Sequence, residues 1–562
     1  MISTCKNSLA SCIHQIDGQI VDQPADSQPY ISIPEGEYLA LKNQVGYWKS
    51  MHQKALLREE GLKQEIKEKN GQIRDLKNRL FGKKSEKKTS KTEKIDPKSD
   101  KNKTPRGQQP GSEGHGLTER PDLPVVDEQA GFPEDPVCPC CGLPYALDGS
   151  TGPQTQIIEV EVKAYTRRIV RQTGTKTCSC KGVPQTITAP MPPKLMPKSP
   201  YGISIWTDVL LNKFHYCQPT NRLLNQYGEL GLPISAGTIS GGLKNLKELF
   251  QPIYNRLYLQ QMTEDRFHQD ESTWKVFEEI IGKIGNKWWL WVSRSESVVY
   301  FMIAQGRGAD VPISYFENTQ KDKIIVVCDR YSAYKSLAKK MTFNVLAFCW
   351  AHVLRDFLDA GRKYPELEEW TFSWIEKIGE LYHINKQRCA AFDKAFPVEW
   401  QSESFKHQHK SLIEKMNEMV QDRDAFIESH NPDESSLTVL SNAKYKILKS
   451  LKNHWEGLSV FVEHPEVPMD NNKGENAIRN PVTGRKNFYG SGSVWSAQLA
   501  AMMFSLFKTL DLWGLNCHHW LNSYLNACAV NHGKAPEDLS PFLPWEMDEA
   551  RLDKLSKPLD TS

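Results

Sequence analysis

Three acidic residues in unlike surroundings carry the chemistry of this chain: Asp270 in RFHQDESTWKVF, Asp329 in KIIVVCDRYSAY and Glu475 in MDNNKGENAIRNPVTGRKNFYGSG. Two lie beside strand-like runs and one at a helix start. Carboxylates gathered this way hold a pair of divalent cations against a phosphodiester, and an all-oxygen donor set selects Mg²⁺ or Mn²⁺ over zinc. Asp270 and Asp329 are 59 positions apart and Glu475 lies 146 further on, so only tertiary structure can assemble them. Each also has a plain alternative as a cap, a surface charge or an ion-pair partner, and Asp265, Glu271 and Asp310 compete locally.

Around the third acid, Arg479, Arg485 and Lys486 offer cationic groups to phosphates, with Asn471, Asn472 and Asn487 as neutral donors. The alternative for each is ordinary helix-surface polarity. His352 and Arg355 in CWAHVLRDF are candidates to line a crevice, with a hydrogen-bonded core histidine as the plainer reading of His352. Trp288, Trp289 and Trp291 are most simply strand core, leaving base stacking to any exposed member.

These side chains need a scaffold. RFHQDESTWKVFEE and KWWLWVSRSESVVYFMIA read as adjacent β-strands, and KIIVVCD as a short buried strand ending at Asp329. A carboxylate there points into the crevice of an open α/β sheet. The predicted catalytic core spans residues 264–508, with a long helical insertion at about 350–465; after it, the turn VPMDNN leads into a helix bearing Glu475 and Arg479 one turn apart.

Upstream, residues 36–82 lack proline and repeat apolar residues every seven: Val45, Ile66, Ile73 and Leu80 at one position, Leu41, Trp48, Ala55, Leu62 and Leu76 at the other. This predicts a coiled coil that self-associates, interrupted by His52, Glu59 and Lys69, with a single helix packing on its own chain as the alternative. Residues 83–120 read as a flexible linker; Lys83–Arg106 alone carries ten basic and four acidic residues, a composition that buries no core and follows phosphate backbones.

Residues 121–190 hold VCPCCGLPY and KTCSCKGV. Cys138, Cys141, Cys178 and Cys180 are the expected ligands of a structural zinc, and Cys140 is a spare thiol. Residues 197–260 resemble a helix-turn-helix, with Ser235 capping the second helix and Thr238 and Lys244 as DNA-facing candidates; the pair Gly241–Gly242 weakens that helix. A short C-terminal element follows at 511–550.

The chain has 562 residues, 39% of them hydrophobic and 25% charged, with a net charge of +3. That length calls for several domains, and the near-neutral charge names no partner. No apolar run reaches membrane-spanning length and no leader-like N-terminus is evident, so a reducing cytoplasm and no membrane partner are expected.

Together, NNKGENAIR, GRKNFYGSG, DRYSAY and FCWAHVLRDF resemble the motifs of the IS66-type bacterial insertion-sequence transposases. The likeness runs nearly end to end, from LKNRLFGKKSEKK through RGQQPGSEGHG and the cysteine module to LWGLNCHHWLNSYLNACAVNHGKAPEDLSPFLPWEM. Departures are DES for DET, DRY for DGY, Asn476 where arginine usually follows the glutamate, Asn480 interposed before Pro481, and CSC for CxxC. The resemblance implies a multidomain α+β protein whose ribonuclease-H-like core carries a DDE site of Asp270, Asp329 and Glu475 with two Mg²⁺ (or Mn²⁺). It implies hydrolysis at the ends of an insertion sequence, then transesterification by the freed 3′-hydroxyl into target DNA. Expected partners are double-stranded DNA, further copies of the chain and small accessory proteins, at the bacterial nucleoid. Two rival readings are a two-metal nuclease or resolvase that never joins ends, and a catalytically silent DNA-binding regulator.

Overall fold

A computed structural model describes residues 33–81, 138–144, 162–341, 344–397, 400–430 and 438–556. The basic linker and much of the cysteine module lie outside the described residues. The chain divides into two compact units, residues 83–166 and residues 1–82 with 167–562. Cys138 and Cys141 belong to the first unit, Cys178 and Cys180 to the second.

In the larger unit, helix α1 (Glu35–Phe81) runs unbroken for 47 residues. Its heptad seam is exposed at Leu41, Val45, Trp48, Leu62 and Ile66, with Trp48 65% accessible. Further along, Lys67 pairs with Glu366 at 2.8 Å. The side chains of Ile73, Leu76 and Leu80 lie outside what is described. Strands β1 (Thr173–Thr175) and β2 (Thr186–Thr188) form a small antiparallel ribbon.

Helices α2 (Ile203–Leu210), α3 (Thr220–Glu229) and α4 (Ala236–Gln261) follow. Ser235 Oγ accepts the Thr238 N–H at 3.2 Å and caps α4. Gly242 is no defect in that helix: a Cβ there would fall 1.9 Å from the Trp206 ring. The glycine makes room for the edge of the buried Trp206 indole against α4, and packing outweighs the local helix penalty of about 1 kcal/mol.

The sheet is mixed, in the order β5-β4-β3-β6-β7. Strands β3 (Arg266–Lys275), β4 (Lys287–Arg294) and β5 (Val299–Ala304) form an antiparallel meander. After α5 (Asp310–Phe316), β6 (Ile324–Cys328) returns parallel to β3; after α6 (Ser332–Lys340), β7 (Asn344–Phe348) pairs parallel to β6. Ile324–Cys328 is buried throughout, as a central parallel strand requires.

Among the described residues, five α-helices separate β7 from the next core helix: α7 (Trp350–Lys363), α8 (Glu368–Ala390), α9 (Glu403–Glu428), α10 (Val439–Asn453) and α11 (Trp455–Glu463). They are followed by α12 (Asn472–Phe488), α13 (Val494–Leu512), α14 (Cys517–Val530) and α15 (Glu549–Leu555). The outer edge of β5 does not stay open. Ser505 Oγ and Thr509 Oγ1 of α13 accept the N–H groups of Phe301 and Val299 at 2.8 and 3.0 Å, closing the edge with side chains. The C-terminal element packs back on α4, where Tyr524 donates its hydroxyl to the Leu249 carbonyl. Among the described residues no helix is long and apolar enough to cross a membrane.

Candidate active site

β3 and β6 run parallel, and their last paired position is His268 with Val327. Asp270 and Asp329 each lie two residues beyond it, so the register brings the two residues to the same end of neighbouring strands, Asp329 just past the end of β6. Alternation sends Asp270 and Glu271 to opposite faces. Glu271 is bound there: its side chain is 1% exposed, Arg307 Nε and Nη2 donate to it at 2.8 and 2.5 Å, and the Tyr334 hydroxyl donates at 2.6 Å. The Arg307 guanidinium in turn stacks over Tyr331 at 3.7 Å and Trp289 at 4.9 Å. Asp265, before β3, pairs with Arg266 and is largely exposed, and Asp310 opens α5 on the surface.

Glu475 comes from the first turn of α12. The buried Asn471 just before that helix fixes its position: its Nδ2 donates to the Gln269 carbonyl at 2.6 Å, its Oδ1 accepts from His268 Nδ1 at 3.1 Å, and its N–H donates to Cys349 Sγ at 3.2 Å. One side chain thus rivets α12 to β3, and its backbone ties the same point to the start of α7. Burial pushes His268 down to about 4, so it stays neutral as that donor.

Burial pushes the Asp270 carboxyl up to about 7, reinforced by the charges of Glu271, Glu475 and Asp329. Asp270 keeps one hydrogen bond, from the Glu271 N–H at 2.8 Å, and Asp329 accepts the Tyr331 N–H at 2.9 Å. His352 on the first turn of α7 faces Glu475, its Nδ1 lying 4.0 Å from Oε1. Burial, then the nearby Arg355, lowers its pKa. Arg330 holds that turn in place by donating to Asp356 at 2.5 Å and to the His352 carbonyl at 3.4 Å.

The remaining candidates divide by what they already touch. Arg485 is half-buried and donates to Ser272 Oγ at 2.9 Å, Thr273 Oγ1 at 2.5 Å and the Thr273 carbonyl, tying α12 to β3. Asn471 is 2% exposed and wholly engaged, and Asn487 donates to the Cys217 carbonyl. Arg479, Lys486, Asn472 and Lys244 are exposed, whereas Thr238 is drawn into the α4 cap through Ser235. Trp288 and Trp291 are core, and half-buried Trp289 carries Lys287 and Arg307 over its ring. The tight turn after α12 explains its glycine: Gly490 has φ +139°, and a Cβ would come 2.3 Å from the Lys275 carbonyl, where Ser491 bridges to the end of β3.

The donor set suits a divalent cation. Glu475 Oε1 and His352 Nδ1 are buried without a hydrogen bond, Cys349 Sγ lies within 4.8 Å of both, and the Asp270 carboxyl, pushed up to about 7 mainly by burial, also feels the charges of Glu271, Glu475 and Asp329. The zinc expectation has its own local chemistry. The N–H groups of Cys140 and Cys141 hold the Cys138 thiol below its usual range, and that of Cys180 does so for Cys178.

Residues 198–499, more than half of the chain and including all three acids, match the family described as Transposase IS66 family. The chain belongs to the IS66 transposase family. Two uncharacterised Sinorhizobium fredii proteins are similar to it. The protein y4hP is 23% identical over 403 residues, covering 66% of this chain and 67% of that protein; y4jD is 23% identical over 429 residues, covering 74% and 78%. Membership in the IS66 family implies nuclease and transesterase activity in general, with DNA as partner and divalent metals as the usual cofactors.

Proposed function

We propose that this IS66 protein cuts DNA at the ends of an insertion sequence and joins the freed 3′ ends to target DNA, through Asp270, Asp329 and Glu475. The observation that carries this reading is the placement of three carboxylates, on β3 two residues past its last pairing with β6, just after β6, and in the first turn of an α12 that Asn471 ties to β3. The strand order, with β6 and β7 parallel to β3 and a meander on its other side, supports a ribonuclease-H-like core. Asp270, Asp329 and Glu475 would hold two Mg²⁺ or Mn²⁺ ions, which when bound supply Lewis-acid activation of the attacking oxygen and charge stabilisation at the leaving oxygen. The chain's own work is positioning: Asn471 sets Glu475, Arg330 sets the start of α7, and the Glu271–Arg307–Tyr334 network fixes the strand beneath Asp270. Arg479, Lys486 and Lys244 are exposed groups placed to meet phosphates, and Asn472, also exposed, donates its amide to Asp470 at 3.2 Å.

The exposed seam of α1 supports self-association as a coiled coil. Taken separately, the lowered thiols of Cys138 in CPCC and Cys178 in CSC support metal affinity at each cysteine knuckle.

Asp270→Ala, Asp329→Ala and Glu475→Ala, each assayed with labelled element ends in Mg²⁺ or Mn²⁺, should each lose at least about 10³-fold in cleavage and joining while keeping end binding. Full activity in any one removes that residue from the site. Wild-type cleavage without joining would favour the nuclease reading, and binding without cleavage the regulatory one.

A further inference from the structure

We propose that His352 is a fourth protein ligand of this metal site, a nitrogen donor paired with Glu475. The inference rests on the carboxylate-site reading above and adds to it a residue that the acidic pattern does not include.

The argument is geometric. His352 Nδ1 and Glu475 Oε1 are both closed off from solvent, neither has a hydrogen-bond partner, and they face each other at 4.0 Å. Buried polar atoms are almost always satisfied, so two orphans turned toward one space point to a missing shared partner. At 4.0 Å they are too far apart to satisfy each other. Two donors each about 2.1 Å from a shared divalent ion stand about 3 to 4.2 Å apart, and this pair already falls in that range. Cys349 Sγ also lies within 4.8 Å of both atoms. It is occupied, accepting the Asn471 N–H and donating to Asp470, and a soft sulfur is a poor ligand for a hard cation, so it borders the site.

The imidazole is held for this task. Arg330 grips the first turn of α7 through Asp356 and the His352 carbonyl, and Trp350 anchors the same turn by donating its N–H to the Met469 carbonyl and its indole N–H to the Leu458 carbonyl. A nitrogen ligand shifts the preference of the site from Mg²⁺ toward Mn²⁺ relative to an all-carboxylate set.

The test uses full-length protein and Mn²⁺ alone. Electron spin-echo spectroscopy of the Mn²⁺-loaded wild type should show directly coupled ¹⁴N, and His352→Asn should lose that coupling and weaken Mn²⁺ binding at least tenfold in titration calorimetry. His352→Asp, which supplies oxygen in place of nitrogen, should regain affinity without the ¹⁴N signal and narrow the Mn²⁺-over-Mg²⁺ preference; it also separates loss of a ligand from loss of fold, checked by thermal melting. Unchanged coupling and affinity in His352→Asn would overturn the proposal, as would coupling abolished by His268→Gln instead. Asp329→Ala and Glu475→Ala distinguish the two levels: wild-type Mn²⁺ binding in both would sink the carboxylate site itself, whereas their loss beside an unaffected His352→Asn would sink only the histidine ligand.

Discussion

Besides the Asn471 rivet, β3 and α12 face each other at two further places, and those two contacts are built on opposite principles. At one, Arg485 of α12 donates to Ser272 and Thr273 of β3, and beyond the helix Ser491 exchanges backbone bonds with Lys275 and Phe277. There every named polar group has a partner. At the other, Asp270 and Glu475 bring like charges together beside His352, with Glu475 Oε1 and His352 Nδ1 unsatisfied. A satisfied contact stabilises the fold; a crowded, unsatisfied one costs stability and is retained where a ligand completes it.

The largest expected stability effect tests the crowded contact. The Asp270 carboxyl sits at about 7 in the fold against 3.8 as its ordinary value. Between those values the folded state holds a proton that the unfolded chain has released, so this group's contribution to stability falls as pH rises from about 4 to 7 and stays low above. At about 1.4 kcal/mol per pH unit, the cost at pH 8 reaches up to about 4 kcal/mol. In chelator, Asp270→Asn should therefore be more stable than wild type at pH 8, with the advantage shrinking toward zero near pH 4; Mn²⁺ should stabilise wild type and not the variant. Denaturant midpoints across that pH range measure this, and parallel curves for the two proteins would show that the contact is not strained.

The satisfied contact predicts a loss in its place. Arg485→Ala leaves Ser272 and Thr273 without their donor and should cost about 2 kcal/mol, since hydrogen bonds to charged groups contribute about 1.5–3 kcal/mol. Thermal unfolding would register it, and unchanged stability with weakened DNA binding would return Arg485 to the DNA-contacting set.

How far the sequence carried the reading depends on the scale of the interaction. The strand ending at Asp329, the long helical interval and the Ser235 cap are local patterns, and the corresponding elements stand as β6, α7 to α11 and the start of α4. The choice between Asp270 and Glu271 was open because β3 is covered on both faces; only Arg307 and Tyr334, from elsewhere in the chain, show which carboxylate is already engaged. Asn471 and Arg485 look like surface polarity in one dimension, since their partners on β3 lie about 200 residues away. Gly242 reads as a helix weakness until Trp206 is seen against it. The orphaned His352 Nδ1 is the same kind of fact: it is defined by a missing partner, and no string of letters records one.

The smallest effect sharpens the contrast along α12 itself. Arg485 and Lys486 are neighbours of the same charge sign, yet Arg485 is turned to β3 while Lys486 and Arg479 are exposed. If exposure decides who meets phosphate, Lys486→Ala and Arg479→Ala should each weaken binding to any duplex by about 1 kcal/mol and lower the slope of log affinity against log salt by about 1, with melting temperature unchanged. A phosphate contact is lost equally for all sequences, so the effect should be the same on element ends and on unrelated DNA. A loss confined to element ends would instead assign the residue to base or shape readout, placing sequence recognition within a helix turn or two of the carboxylates.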